Sequence, residues 1–145
     1  MKYFLLLGLL FVFISAYTQE ERKVEYDKLT NKGNKYYYKN ESEPYTGKCY
    51  TAYKSGEKGM AGSMKKGIRS GHWVWWYKNG EKQRIATYKN GKKNGKCIFY
   101  YKNGIKKSEI IFDNNRNIRQ HSWNKKGERI KNPSFSFIII SVFTS

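Results

Sequence analysis

A segment that recurs every 24 positions constrains the fold of this chain more than any other feature of its sequence. The segment GHWVWWYKNG at 71–80 recurs as GKCIFYYKNG at 95–104 and is preceded by a weaker copy, GKCYTAYKSG, at 47–56. The residues between these segments also align, with MKKG at 64–67 and YKNG at 88–91. A constant period of this size is typical of repeat proteins, whose units stack on their neighbours.

Each unit contains two turn signals. Asn-Gly between apolar runs, at Asn79-Gly80 and Asn103-Gly104, predicts a two-residue type I′ hairpin turn, in which both residues have positive φ. Ser55-Gly56 is a weaker version of the same signal. The loops at 66–71 and 90–95 predict longer turns. The glycines expected to occupy structural turn positions are Gly56, Gly80, Gly91 and Gly104.

The runs between the turns predict β-strands. They are rich in Trp, Tyr, Phe, Val and Ile, and no helical period competes with them between residues 45 and 130. The fold class expected is all-β, an elongated antiparallel meander of β-hairpin repeats with a period of 24. Alternation places Trp73 and Trp75 on one face and Val74 and Trp76 on the other. Because both faces are partly apolar, the sheet is expected to curl or to be covered on one face, and the sequence leaves open which face is inside.

The units resemble the MORN-repeat variant of bacterial proteins in the YwqK-type antitoxin family, whose pattern is roughly G-x-W-x-x-Y-Y-x-N-G followed by Y-K-D/N-G-K-x-x-G. The residues that carry the resemblance are Gly71, Trp73, Trp76, Tyr77, Asn79 and Gly80, followed by Tyr88, Lys89, Asn90, Gly91, Lys92 and Gly95. It covers about 44–127, although Cys49 and Cys97 stand where the pattern has Trp. The resemblance implies a MORN-like β-repeat architecture. It also implies two functions: an antitoxin that neutralises a cognate toxin by direct contact, or association with a membrane surface.

The chain divides into four segments. Residues 1–18 combine a basic start, an apolar run and small residues, which predicts a secretory signal peptide that is too short for a transmembrane helix. Residues 19–43 are a polar N-terminal segment expected to cap the array, and 44–131 are the MORN-like repeat domain. Residues 132–145 form an apolar C-terminal tail without an assigned role. The protein is therefore expected to be exported from a bacterial cell, to the periplasm, the outer envelope or the medium, with no transmembrane helix in the mature chain.

The repeat domain carries nearly all of the positive charge. Residues 44–131 contain 22 lysines and arginines against five acidic residues, whereas 19–43 contain six of each. Such a field attracts anions, so the expected partner is a protein or an anionic envelope surface. Nucleic acid is not the expected partner, because the chain is expected to be exported and has no recognition helix or zinc-ligand spacing. The alternative is that these lysines only keep the sheet soluble and protect its edges.

Six residues are predicted to bind the partner, through aromatic contact area and positive charge: Trp75, Trp76, Lys78, Lys89, Lys92 and Lys102. Lys54, Lys78 and Lys102 recur just before a turn and are expected to form a row along one edge of the sheet.

The sequence contains no pattern that predicts catalysis. The two histidines, His72 and His121, have no cysteine or carboxylate at metal-ligand spacing. The serines have no nucleophile elbow, and the glycines belong to hairpins and not to a phosphate-binding loop. We therefore predict a non-catalytic binding module with no cofactor and no metal site.

The two cysteines allow a geometric prediction. Cys49 and Cys97 occupy the same position two units apart, which corresponds to four strands. At about 4.8 Å per strand they would lie roughly 19 Å apart. A disulfide requires Cα atoms within about 7 Å. We therefore predict two unpaired, packed thiols.

Overall fold

The computed structural model of the chain describes residues 21–131. The predicted signal peptide at 1–18 and the apolar tail at 132–145 lie outside these residues. Within the described part of the chain, no helix is long and apolar enough to cross a membrane.

The described residues form eleven β-strands and one short 3₁₀ helix, Tyr26–Lys28. The strands are β1 (Lys23–Glu25), β2 (Leu29–Lys32), β3 (Lys35–Tyr38), β4 (Gly47–Ala52), β5 (Lys58–Lys65), β6 (Ile68–Trp76), β7 (Lys82–Lys89), β8 (Lys92–Tyr100), β9 (Lys106–Asp113), β10 (Arg116–Trp123) and β11 (Arg129–Ile130). Strands β4 to β11 follow one another as antiparallel neighbours in one sheet. The predicted all-β antiparallel meander is therefore confirmed.

The N-terminal segment contributes to both sheets. Strand β1 pairs in parallel with β4 and so covers the first strand of the meander. Strands β2 and β3 form a separate hairpin. This hairpin is tied to the large sheet because the Tyr36 N–H donates to the Gly67 carbonyl over 2.9 Å. Tyr26, in the 3₁₀ helix, packs edge-on against Trp73 with 6.1 Å between ring centroids.

The two-residue turns lie where the sequence predicted the longer ones. Lys66-Gly67, Asn90-Gly91 and Asn114-Asn115 each have positive φ at both residues, with values of 50° and 77°, 50° and 77°, and 48° and 71°. They join directly paired residues, such as Lys89 and Lys92. The type I′ turns predicted at Asn79-Gly80 and Asn103-Gly104 were therefore wrong in position.

At Asn79-Gly80 the loop contains three residues. Only Gly80 has positive φ, at 84°; its N–H donates to the Tyr77 carbonyl over 3.0 Å, and the Tyr77 N–H donates to the Glu81 carbonyl over 2.8 Å. A turn that ends in a left-handed glycine is the usual form of a three-residue hairpin loop. The Asn79 side chain accepts the Glu81 N–H and donates to the Lys102 carbonyl. Asn-Gly suits both loop types, so the dipeptide alone could not distinguish them.

The glycines predicted at turns nevertheless adopt the backbone conformation that only glycine takes easily. The φ values are 95° at Gly56, 84° at Gly80, 77° at Gly91 and 80° at Gly104.

The core lies on the face that carries Trp73 and Cys97, here called the inner face. Trp73 is completely buried, and so is Ala86, with which it pairs across β6 and β7. The indole lies over Gly62, where an added Cβ would be 2.2 Å from the ring. The indole N–H donates to the Ser63 carbonyl over 3.1 Å. The large ring therefore requires small residues on both neighbouring strands, because a protein interior is close-packed.

The packing around Trp73 also accounts for the two buried cysteines. Cys49 pairs with Gly62, and Cys97 pairs with Ala86, on either side of the strand that carries Trp73. Both cysteines are about 1% exposed. The indole of Trp73 already fills the space over Gly62 and beside Ala86, so a small side chain fits at each cysteine position.

Hydrogen bonds between successive units follow the sequence period. The hydroxyl groups of three tyrosines spaced 24 residues apart each donate to a backbone carbonyl in the following unit: Tyr53 to Trp76 over 2.8 Å, Tyr77 to Tyr100 over 2.8 Å and Tyr101 to Trp123 over 2.9 Å. At the opposite edge three backbone N–H groups donate to the preceding unit: Gly67 to Tyr45 over 2.8 Å, Gly91 to Arg69 over 3.1 Å and Asn115 to Lys93 over 2.9 Å. Hydrogen bonds therefore link successive units at both edges of the sheet, where the edges are the two sides on which the turns lie.

Replacing Gly80 by valine should lower the free energy of unfolding by about 1–2 kcal/mol, because a β-branched residue would be forced to positive φ. The site has open space around an added Cβ, so the cost would come from the backbone alone. Urea denaturation measures it. Lys78→Ala, in the same loop, is the control and should change stability by less; equal stability of Gly80→Val and the parent chain would contradict the left-handed loop.

Replacing Gly62 by alanine should lower the free energy of unfolding by about 1–3 kcal/mol, because the added methyl group would overlap the buried indole of Trp73. The effect should shrink when Trp73 is also replaced by leucine, since the clash is then removed. A double-mutant cycle in urea measures this coupling. Additive effects of the two substitutions would show that Trp73 does not lie over Gly62.

Candidate functional site

The two tryptophans predicted to bind a partner lie on opposite faces of the sheet. Trp75 is on the inner face, 6.0 Å from Trp73 between ring centroids, and the guanidinium carbon of Arg84 lies 3.6 Å from the centroid of its ring. Trp76 alternates to the other face, here called the outer face. One ligand on a single face therefore cannot contact both rings.

The four predicted lysines are also divided between two places. Lys78 and Lys102 lie in the loops after β6 and β8, at one edge, whereas Lys89 and Lys92 flank the two-residue turn between β7 and β8 at the opposite edge. All four are exposed. The expected row of Lys54, Lys78 and Lys102 is present, because every second connection of a meander lies at the same edge. The structure therefore does not bring the six predicted residues together.

The structure brings together a different set of side chains by means of β-bulges. Three strand pairs shift register near the same edge, and each shift leaves one residue without a cross-strand partner: Gly59, Gln83 and Lys107. Beyond the shifts, Trp76 pairs with Lys82 and Tyr100 pairs with Lys106. A bulge re-aims the side chains beside it, which here sets a lysine opposite an outer-face ring.

We call the resulting row of residues the outer stripe. It consists of Lys58, Trp76, Lys82, Tyr100, Lys106, Trp123 and Arg129, taken in order across β5 to β11. The Nζ atom of Lys58 lies 5.9 Å from the centroid of the Trp76 ring, and that of Lys106 lies 4.9 Å from the centroid of the Trp123 ring. Trp123 also pairs with Arg129. Cations and rings therefore alternate along the stripe.

The spacing along the stripe follows from the geometry of the sheet. Trp76, Tyr100 and Trp123 lie at the ends of β6, β8 and β10, and their carbonyls accept the three equivalent tyrosine hydroxyls. Alternate strands of a sheet are about 10 Å apart. The three rings are half-buried, and an apolar row that includes Val74, paired with Ile85, runs beside them on the same face.

The cations of the stripe differ in their partners. Lys106 Nζ lies 2.9 Å from the Glu109 carboxylate, and this hydrogen bond lowers the pKa of Glu109. For Lys58 and Lys82, the structure of residues 21–131 records no carboxylate within ion-pair distance. Within this part of the chain the two ammonium groups therefore differ from that of Lys106.

A part of this surface could be found in the sequence. Lysine recurs at 58, 82 and 106 with the 24-residue period, and aromatic residues stand at 76 and 100. Strict alternation, however, does not place each lysine opposite the ring, because the bulge that does so is not visible in the sequence.

The cysteines are unpaired and buried, as predicted. Burial raises the pKa of Cys49 to about 11 and raises the pKa of Cys97 as well. A thiol in this state is a weak nucleophile. Among residues 21–131, no three His, Cys, Asp or Glu side chains are close enough together to hold a metal ion.

Comparison of the chain with protein-family models, with curated proteins and with solved structures finds no match. The resemblance to MORN-repeat variants therefore stays a prediction that rests on the sequence pattern alone.

The two thiols should not react with a thiol reagent such as dithionitrobenzoate while the protein is folded, because they are buried and protonated. Both should react once the chain is unfolded in urea. The release of the coloured product over time measures this, with Cys49→Ala and Cys97→Ala identifying each thiol. Fast labelling of the folded protein, or a disulfide seen by mass spectrometry, would contradict the packing of this row.

Proposed function

We propose that this chain is an exported, non-catalytic β-repeat module that binds an anionic partner, a protein or an envelope surface, through the outer stripe. The observation that carries the proposal is the regular alternation of cations and half-buried rings across seven neighbouring strands. Support for export comes from residues 1–18, whose basic start and apolar run are typical of a signal peptide.

Charge supports an anionic partner. The repeat domain has 22 basic residues against five acidic ones, and Lys58 and Lys82 have no carboxylate partner among residues 21–131. A surface with this imbalance raises the local concentration of anions and accelerates their association. The field of the whole domain attracts the partner, and the stripe fixes where it binds.

The rings support specific contact in addition to attraction. Trp76, Tyr100 and Trp123 are half-buried, so their positions are fixed by the sheet before a partner arrives. A rigid aromatic side chain gives a large contact area and loses little conformational entropy on binding. The stripe therefore combines preformed contact area with free positive charge.

The double variant Lys58→Gln/Lys82→Gln should bind phosphatidylglycerol vesicles and a heparin column roughly thirtyfold more weakly than the parent chain, since each surface lysine contributes about 1 kcal/mol. The matched control is Lys89→Gln/Lys92→Gln, which removes the same charge at the opposite edge and should bind nearly as well as the parent chain. Vesicle sedimentation and the salt concentration of elution measure the difference.

Equal losses in the two variants would show that only the overall field matters and would overturn the stripe as the site. Binding should weaken steeply as salt is added, because exposed charges are screened. A partner that stays bound at high salt would contradict an anionic surface. That result would favour a shape-driven complex with a toxin, the function that the family resemblance implies.

A further inference from the structure

We infer that the partner of the outer stripe is an extended anionic polysaccharide that lies across the strands, with one protein ring for each disaccharide. The inference rests on the proposed function and names the class of ligand for that same surface.

The spacing of the rings favours a polysaccharide. Trp76, Tyr100 and Trp123 lie two strands apart from one another, which corresponds to about 10 Å. In an extended β-linked polysaccharide each sugar is turned over relative to its neighbour, so the same face recurs at every second sugar. The length of this two-sugar repeat is comparable to the spacing of the rings. The C–H groups on that face are apolar and slightly positive, and they pack on the negative face of an aromatic ring.

The cations lie where such a polymer would carry its charge. Lys82 is on β7, between the strands of Trp76 and Tyr100, and Lys106 is on β9, between the strands of Tyr100 and Trp123. Each repeat of the surface therefore carries one ring and one cation, although Lys106 already has Glu109 as a partner and Lys82 has none among residues 21–131. A polymer with one acidic sugar in each disaccharide, such as a uronic acid, matches both.

A single-stranded nucleic acid matches this surface less well. Proteins that bind single strands stack successive bases on neighbouring aromatic side chains. Here a strand bearing a lysine separates each ring from the next. A chain with a phosphate at every base would also carry more charge for each ring than the stripe can neutralise.

Titration of the full-length chain with hyaluronan oligosaccharides tests the inference, because hyaluronan has one carboxylate in each β-linked disaccharide. Affinity, followed by calorimetry and by tryptophan fluorescence, should rise with length up to about six sugars, which span three rings two strands apart, and then level off. Affinity that does not depend on length would overturn the inference.

Neighbouring residues on opposite faces supply matched variants. Tyr100→Leu, on the outer stripe, should bind hyaluronan roughly fivefold more weakly, while Phe99→Leu, next to it on the inner face, should bind like the parent chain. In a second pair, Trp76→Leu on the outer stripe should also bind hyaluronan more weakly, while Trp75→Leu on the inner face should bind like the parent chain. Thermal unfolding confirms that each variant is folded. If Tyr100→Leu or Trp76→Leu does not fold, the dependence of affinity on the length of the hyaluronan oligosaccharide decides the inference.

The controls separate this inference from the proposed function. Binding to phosphatidylglycerol vesicles through the stripe, without binding to hyaluronan, would overturn the inference and leave the proposed function standing. Tighter binding to oligodeoxythymidine than to hyaluronan at equal salt, with the same dependence on the rings, would overturn it in favour of nucleic acid. Failure to bind any of these anions would overturn the inference and also the envelope surface as the partner in the proposed function.

Discussion

The structure depends on the packing of one indole against a glycine. Trp73 is fully buried only because Gly62 leaves room for its ring and Ala86 lies beside it. Tyr26 meets the edge of the ring from the N-terminal segment. The indole therefore joins the repeat array to the covering segment, on the face of the sheet that becomes the core. The outer stripe lies on the face opposite this core.

The surface proposed to bind a partner is a consequence of how the repeats are joined. The three-residue loops that end in a left-handed glycine are followed by a bulge in the next strand, at residues such as Gln83. The bulge brings Lys82 opposite Trp76, and the 24-residue period repeats the arrangement at Tyr100 and Lys106. Regular spacing of the ring and the cation is thus built into the repeat itself. This regularity is the reason that we propose a polymer with its own regular repeat, and not a compact ligand, as the partner.

Much of the fold could be predicted because the signals are local. Strand content, antiparallel order and glycines with positive φ follow from aromatic runs, from short connections and from the steric freedom of glycine. The separation of Cys49 and Cys97 needed only the number of strands between them. The candidate site was harder, since alternation places Trp75 and Trp76 on opposite faces but does not show which of the two faces is buried. The predicted lysines are likewise split between two edges, at Lys78 and at Lys89.

By itself the sequence determined the period, the strands, the positive-φ glycines and the imbalance of charge, because each of these depends on residues close together in the chain. The tertiary structure decided which face is buried, since that depends on where Tyr26 and the N-terminal hairpin pack. It also decided which Asn-Gly forms the two-residue turn, because the loop length is set by the register of the paired strands. The tertiary structure also decided which residues form the outer stripe. Its seven side chains come from seven strands, and only the register shifts of the sheet align them in one row.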